Sequence, residues 1–286
     1  MMNSIIIKVL LRLAIYIFIS YLLLSAYFFY VYVHPKRFVS GFTPKELGLK
    51  YEDIVLITND NIKLSGWFIP QKNSNKAVIV CHGYPADKGN VLDMAEFLSP
   101  YYNLLFFDFR AMGNSQGKFT SGGWKEREDF LAAVSFMKKK GFEDIGAIGF
   151  SMGAAAILMS DSPDIKAIVS DSSYSNLDSV LSLIFQDFGP LRKAFAWSMK
   201  FLANLFLQMD VNKVVPLKYI PQIKAPVFLI HCNEDTQIPL EHAQLLHNAN
   251  PQNQLWIISG LDHTEGLSGV KEEYQRRVLE FLKDNL

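Results

Sequence analysis

The chain has 286 residues, and its 28 Lys and Arg balance its 28 Asp and Glu. That length fits one large domain or two small ones. A neutral chain without a long basic run lacks the electrostatic footprint of nucleic-acid binding, so no nucleic-acid partner is expected.

A long uncharged segment, Leu13 to Val33, follows an N-terminal flank of residues 1–12. A transmembrane helix needs about 20 apolar residues, and tyrosines near both ends of this segment suit the membrane interface. A signal peptide would have a shorter apolar core with a small-residue cleavage site, and a buried core helix would show a polar face. We therefore predict an uncleaved single-pass anchor at 13–33 that binds the lipid bilayer, with an orientation that the flanking charges leave open.

Residues 34–50 contain two prolines and two glycines and are predicted to be a linker. The remaining residues, 51–286, are predicted to form one domain. It begins with two strands joined by a turn at Asn59-Asp60-Asn61, which is a hairpin signal.

Six short apolar runs follow the hairpin and are separated by segments with helical spacing. Because the runs are apolar throughout, their strands should be covered on both faces, as in a parallel sheet between helices. The runs are 77–83, 103–110, 145–151, 165–171, 226–235 and 254–260. Together with the hairpin they predict an α/β domain with a mostly parallel eight-stranded sheet, an antiparallel start and helices on both faces.

The connection between the fourth and fifth of these runs is unusually long. A crossover needs a dozen or so residues, whereas this connection comprises residues 172–225. It is rich in large apolar side chains. Gly189-Pro190 divides the segment into two predicted helices. Such an insertion either packs as ordinary core or covers a site, and we expect a helical cap inserted after the sixth strand.

The two cysteines are predicted to be separate buried thiols. In the expected sheet, two strands separate Cys81 from Cys232, which places them about 14 Å apart at ~4.8 Å per strand. A disulfide needs Cα atoms within about 7 Å.

Gly149-Phe150-Ser151-Met152-Gly153 matches the G-x-S-x-G nucleophile elbow, in which a tight strand-to-helix turn displays a serine. The pattern also fits an ordinary glycine-rich turn, so Ser151 needs partners. Glycine is required where φ is positive or where another backbone passes closely. We expect the two glycines to let the turn form and the helix pack.

A serine nucleophile needs a base, and the base needs an orienting acid. Of the six histidines, His263 lies in the loop after the last strand, where open α/β sheets keep their sites. Asp235 ends the preceding strand and is the expected acid, with Glu234 beside it. Asp171 ends an earlier strand and is a rival, although it could also cap a turn. The order Ser151, Asp235, His263 is that of α/β-hydrolases.

The oxyanion hole is expected to use two backbone N–H groups. One belongs to Met152, which follows the nucleophile at a helix N-terminus. The other should come from the loop after 77–83, where Pro85 has no N–H and Tyr84 is the candidate. The phenol of Tyr84 could also line the pocket.

From about residue 51 onwards the chain resembles a serine hydrolase of the α/β-hydrolase superfamily. It is most similar to the membrane-anchored branch near monoacylglycerol lipases and serine aminopeptidase-like proteins. The matching segments are His82-Gly83, 108–117, 149–153, 233–239 and 262–266. The resemblance implies that Asp108, Arg110 and Gly113 shape a loop rather than touch substrate.

The function implied is that of a carboxylesterase or lipase-like enzyme, working through an acyl-enzyme on Ser151 without cofactor or metal. The anchor and the apolar cap favour lipid-like acyl esters. A thioesterase or a peptidase would use the same residues. A non-catalytic binding protein is a further alternative, which the intact set of Ser151, Asp235 and His263 argues against.

Overall fold

The computed structural model describes residues 2–286, which form one sheet with helices on both faces. The strands are β1 Glu52–Ile57, β2 Lys63–Ile69, β3 Lys76–Cys81, β4 Asn103–Phe107, β5 Asp144–Phe150, β6 Ile165–Asp171, β7 Val227–Cys232 and β8 Gln254–Ile258. The α-helices are α1 Met2–Val33, α2 Leu92–Ala95, α3 Glu126–Lys139, α4 Met152–Met159, α5 Leu177–Ile184, α6 Arg192–Leu207, α7 Pro216–Tyr219, α8 Glu241–Ala249, α9 Gly266–Gly269 and α10 Lys271–Asn285.

The eight strands lie in the order β1-β2-β4-β3-β5-β6-β7-β8. The pairs β1/β2 and β2/β4 are antiparallel, and every later pair is parallel. The predicted sheet, with its antiparallel start, is therefore confirmed. The predicted turn also joins β1 to β2, closed by the N–H of Thr58 donating to Ile62 O at 3.0 Å.

The sheet separates two layers of core. Along β3, Ala77 and Ile79 pack in the layer that contains α3, α5 and α6, while Val78 and Val80 pack in the layer that contains α2 and α10. This alternation follows from the two-residue period of a strand. It explains why the strands are apolar on both faces.

The cysteines lie as predicted. Strands β5 and β6 separate Cys81 on β3 from Cys232 on β7, and both thiols are free and buried. Burial raises the pKa of Cys81 well above its usual value and that of Cys232 to about 12. Both therefore stay protonated and act as small apolar side chains.

Helix α1 has no polar face, and its two charged residues, Lys8 and Arg12, lie in its N-terminal part. Within it, Ser4–Val33 is long and apolar enough to span a membrane, with a mean hydropathy of 2.2 in its most apolar window, none of which is buried. The last turns differ, because Tyr21 donates its hydroxyl to Ala194 O at 2.9 Å and Ser198 donates to Ser25 at 3.1 Å. Helix α1 therefore projects from the domain and packs by its C-terminal end on α6. Membrane crossing by residues 13–33 stays a prediction.

The segment 34–50 lies against the domain instead of hanging free. The guanidinium of Arg37 donates to the backbone carbonyl oxygens of Gly113, Ser115 and Gly117. These contacts attach the segment that follows α1 to the loop after β4.

Helices α5 and α6 are the two longest elements of the insertion between β6 and β7. The short 3₁₀ segment Gln186–Leu191 separates them, and Gly189 within it has φ of +53°. A side chain is strained at that angle, whereas glycine is not. The predicted break at Gly189-Pro190 is confirmed, and the two helices cover the carboxyl end of the sheet at Ser151.

Candidate active site

Ser151 occupies the tight turn between β5 and α4. Its own backbone has φ of +53° and ψ of −117°, a strained conformation for a residue with a side chain. Neither Gly149 nor Gly153 has a positive φ. A Cβ on Gly153 would lie 2.4 Å from the carbonyl oxygen of His82, and one on Gly149 would lie 2.6 Å from Ala154 N. The glycines thus permit close packing, while the serine carries the strain.

Asp235 and His263 are joined across two loops. His263 Nδ1 lies 2.6 Å from Asp235 Oδ2, and the carboxylate is inaccessible to solvent. The other oxygen, Oδ1, accepts the backbone N–H groups of Gln237 and Ile238 at 2.9 and 2.7 Å. These two hydrogen bonds aim the carboxylate at the imidazole. A proton on Nδ1 that is donated to Oδ2 leaves Nε2 free to accept one.

The rival acids are placed elsewhere. Glu234 is exposed. Asp171 is fully buried and accepts the hydroxyl protons of Tyr274 at 2.7 Å and Ser172 at 2.9 Å. Burial raises the pKa of Asp171 despite these hydrogen bonds. Asp171 supports the loop beneath the site and does not contact His263 through a hydrogen bond.

The structure adds Asp262, which sequence reasoning missed. Its Oδ1 accepts the backbone N–H of Thr236 and of His263, each at 2.7 Å. Asp262 therefore clamps the loop that carries the acid to the loop that carries the histidine. These backbone hydrogen bonds lower the pKa of Asp262. In the sequence, the only signal for this role of Asp262 is its position directly before His263.

The backbone at Ser151 and the backbone next to His263 are both bound to the carboxyl end of β6. The N–H of Ser151 donates to Asp171 O at 2.8 Å, and the N–H of Thr264 donates at 3.3 Å to the hydroxyl of Ser172, which follows Asp171. Within residues 2–286, no hydrogen bond joins Ser151 Oγ to His263 Nε2. Catalytic hydrogen bonds are often long or poorly aligned before substrate binds.

The predicted oxyanion donors flank Ser151 on two sides. Met152 is the first residue of α4, where a helix leaves its N–H without an intrahelical partner. A Cβ on Gly83 would lie 3.2 Å from Ser151 Cβ, so the backbone that leads into Tyr84 passes directly beside the serine. His82 steadies this loop, since Nδ1 donates to Gly83 O at 2.7 Å and Nε2 accepts from Phe109 N at 2.9 Å.

A cavity of about 480 Å³ opens beside Ser151. Met152, Tyr84 and Pro85 line it near the serine, and Thr236 and Ile238 line it near the acid loop. Eight apolar residues of α5 and α6 form a large part of the remaining wall. Its members include Leu177, Val180, Leu181, Met199, Ala203 and Leu207.

Comparisons with known proteins agree with this architecture. A family model described as the alpha/beta hydrolase fold matches residues 76–210. The solved structure of the esterase Pf2001 from Pyrococcus furiosus is 36% identical, covers 88% of this chain and 99% of its own, and has a TM-score of 0.74. The uncharacterized protein YqkD from Bacillus subtilis is 29% identical over 240 residues, which cover 78% of this chain and 76% of that protein. YfhR from Escherichia coli is 23% identical over 246 residues, covering 81% and 80%.

Proposed function

Because this chain belongs to the α/β-hydrolase superfamily, we propose that it is a serine esterase that cleaves carboxylic esters through an acyl-enzyme on Ser151. The observation that carries the proposal is the 2.6 Å contact between Asp235 and His263 in the loops beside a strained serine. The similarity to the esterase from Pyrococcus furiosus supports hydrolysis as the reaction class.

In the first half-reaction, His263 Nε2 takes the proton of Ser151 Oγ as that oxygen bonds to the ester carbonyl carbon. The carbonyl oxygen becomes negative and is stabilised by the N–H groups of Met152 and Tyr84. The carbon–oxygen bond to the alcohol then breaks, and the leaving oxygen takes the proton from His263. The products are an acyl-enzyme and a free alcohol.

In the second half-reaction, water replaces the alcohol. His263 removes a proton from water, whose oxygen bonds to the acyl carbon, and the same two N–H groups hold the oxyanion. The bond to Ser151 Oγ breaks and the serine recovers its proton from His263. Asp235 stabilises the imidazolium in both halves without itself taking a proton. Each oxyanion donor contributes about 2.7–4 kcal/mol to lowering the barrier.

The apolar cavity favours substrates whose acyl group carries a hydrocarbon chain over substrates whose acyl group is polar. Each methylene that moves from water into such a wall gains about 0.8 kcal/mol, or roughly a fourfold increase in kcat/KM. We therefore propose medium or long acyl esters, such as monoacylglycerols, as the substrate class.

The proposed membrane anchor would bring this cavity to its substrates. Helix α1 is uncharged from Leu13 to Val33 and exposed over most of its length. Beside it, α6 exposes Trp197, Phe201 and Leu205 along one face, which extends the apolar surface. Both features support association with a lipid bilayer, where acyl esters are concentrated.

The chemistry is tested with the purified full-length chain in detergent and p-nitrophenyl butyrate. Ser151→Ala and His263→Ala should each reduce hydrolysis to near background and abolish labelling by a fluorophosphonate. Ser160→Ala, at the end of the same helix α4, is the matched control and should behave as wild type. Near-normal hydrolysis by Ser151→Ala would disprove the proposal.

The substrate class is tested by measuring kcat/KM for p-nitrophenyl esters from acetate to palmitate. A rise from acetate to at least the medium chains is expected. Ala203→Leu, which extends a side chain into the cavity wall, should shift the optimum to shorter chains. A steady fall with chain length in the wild type would contradict the proposal.

The anchor is tested by membrane fractionation. The full-length chain should remain in the membrane pellet after washing with salt and with alkaline carbonate, and should be released by detergent. Release by carbonate would make α1 a peripheral or cleaved segment.

A further inference from the structure

The C-terminal end of α1 reaches the cavity beside Ser151. Phe29, Tyr32 and Val33 all line that cavity, together with Tyr84 and Met152 next to the proposed oxyanion hole. Only 8% of Phe29 and 9% of Val33 is exposed, although most apolar side chains earlier in the helix are exposed to solvent. An element that the sequence marks only as an anchor therefore contributes to the candidate substrate site.

The three residues share one face of the helix. Positions 29, 32 and 33 are spaced by three and four residues, which places their side chains side by side. The neighbouring Phe28 holds this face in place, with its ring centroid 5.4, 5.5 and 5.8 Å from those of Phe185, Phe188 and Phe195. Phe185 and Phe195 belong to the buried core, and Phe28 and Phe188 are partly buried against it.

The end of α1 is also tied to the elbow. Val33 O accepts the backbone N–H of Thr120 at 2.8 Å, and the hydroxyl of Thr120 contacts the sulfur of Met152 at 3.8 Å. Thr120 lines the same cavity. The position of α1 is thus coupled by two short contacts to the residue that follows the nucleophile.

We propose that the last two turns of α1 form part of the acyl-binding wall, and that Phe29 and Tyr32 determine acyl-chain preference. The inference rests on the proposed esterase function and extends it to a helix outside the α/β domain. It assigns α1 a second role as a specificity element, in addition to anchoring. Tyr32 and Tyr84 both line this cavity.

The helix provides its own control. Tyr30 lies between the proposed wall residues in sequence but on the outer face, where 62% of it is exposed. Tyr32→Ala and Tyr30→Ala therefore remove the same side chain from the same turn of helix, one inside the cavity and one outside. Phe29→Ala and the milder Phe29→Leu complete the set.

Each full-length variant is assayed in detergent with p-nitrophenyl acetate and p-nitrophenyl decanoate, and the ratio of the two kcat/KM values is the readout. Phe29→Ala and Tyr32→Ala should lower the decanoate-to-acetate ratio by about tenfold or more, since one lost apolar contact in a pocket changes selectivity by ~10–200-fold. Phe29→Leu should fall between Phe29→Ala and wild type. Tyr30→Ala should leave the ratio within about twofold.

Two outcomes would overturn the inference. An unchanged ratio in both Phe29→Ala and Tyr32→Ala would show that the acyl chain does not touch α1. Equal losses on both esters would show that these residues only support the fold. Neither outcome affects the esterase proposal, which instead fails if the wild-type chain hydrolyses neither ester.

Discussion

Replacing Asp235 by asparagine should abolish most activity through the tautomer of His263. In the structure, Asp235 Oδ1 accepts the N–H groups of Gln237 and Ile238, and Oδ2 faces His263 Nδ1. The amide oxygen of asparagine would stay with the two backbone donors, which turns its NH₂ group towards the imidazole. Because two donors cannot hydrogen-bond to each other, the imidazole proton moves to Nε2. The base then cannot accept the proton of Ser151.

The expected loss is large and lies in kcat. In other Ser-His-Asp enzymes the wrong tautomer reduces kcat by about 10⁴, which corresponds to roughly 5.5 kcal/mol in the barrier. KM should change little, because Asp235 contacts the histidine and two backbone groups rather than substrate. Steady-state hydrolysis of p-nitrophenyl butyrate by the purified full-length variant separates the two parameters.

Asp171→Asn is the comparison that makes the test decisive. Asp171 is also a buried carboxylate at a strand end, but its partners are Tyr274 and Ser172. The substitution should lower the thermal midpoint and leave kcat within about tenfold of wild type. The assignment would be refuted if Asp235→Asn retained a tenth of wild-type kcat, or if Asp171→Asn caused the larger loss.

Three further outcomes are expected. Gly153→Ala should destabilise the fold by about 1–3 kcal/mol and lower kcat, because the new Cβ would lie 2.4 Å from a backbone oxygen. Gly41→Ala is the control and should leave thermal unfolding and kcat unchanged, because a Cβ there would have no atom within 4 Å. Asp262→Ala should lower kcat by freeing the histidine loop from the acid loop, and Asp262→Asn, which keeps an acceptor oxygen, should restore part of that loss. Hydrogen bonding to Arg110 is the main cause that lowers the pKa of Asp60 to about 2. The stability contributed by this pair is therefore present above the unfolded pKa of about 4 and is lost as the pH falls towards 2. The thermal midpoint of Asp60→Asn should therefore depend less on pH between these two values than that of the wild type.

The secondary structure could be derived from the sequence because its causes are local. Strands buried on both faces must be apolar throughout, and each of the six runs after the hairpin became a strand. The break between α5 and α6 also follows from a local cause, since Gly189 adopts a φ that other residues avoid. The parallel direction of the later strands needed one further rule, that parallel strands are joined by helical crossovers.

The motif around Ser151 was readable, but the role of its glycines was only partly so. Sequence reasoning assigned them either positive φ or close packing, and the structure shows close packing at Gly149 and Gly153, with the positive φ at Ser151 itself. The distinction depends on where His82 O and Ala154 N lie. Those positions are set by β3 and α4 together.

Only the tertiary structure shows which of the candidate acids contacts His263, and it adds two features that sequence reasoning did not find. Asp171, Glu234 and Asp235 all lie near strand ends, and sequence position does not say which carboxylate turns towards His263. Asp262 acts as a clamp because two loops, separated by the whole of α8 and β8, return to the same edge of the sheet. The part of the cavity wall that α1 contributes is the feature least readable from the sequence. A helix without a polar face has no pattern that marks which side will pack on the domain. Contacts between elements far apart in the chain determine that side, and composition does not record them.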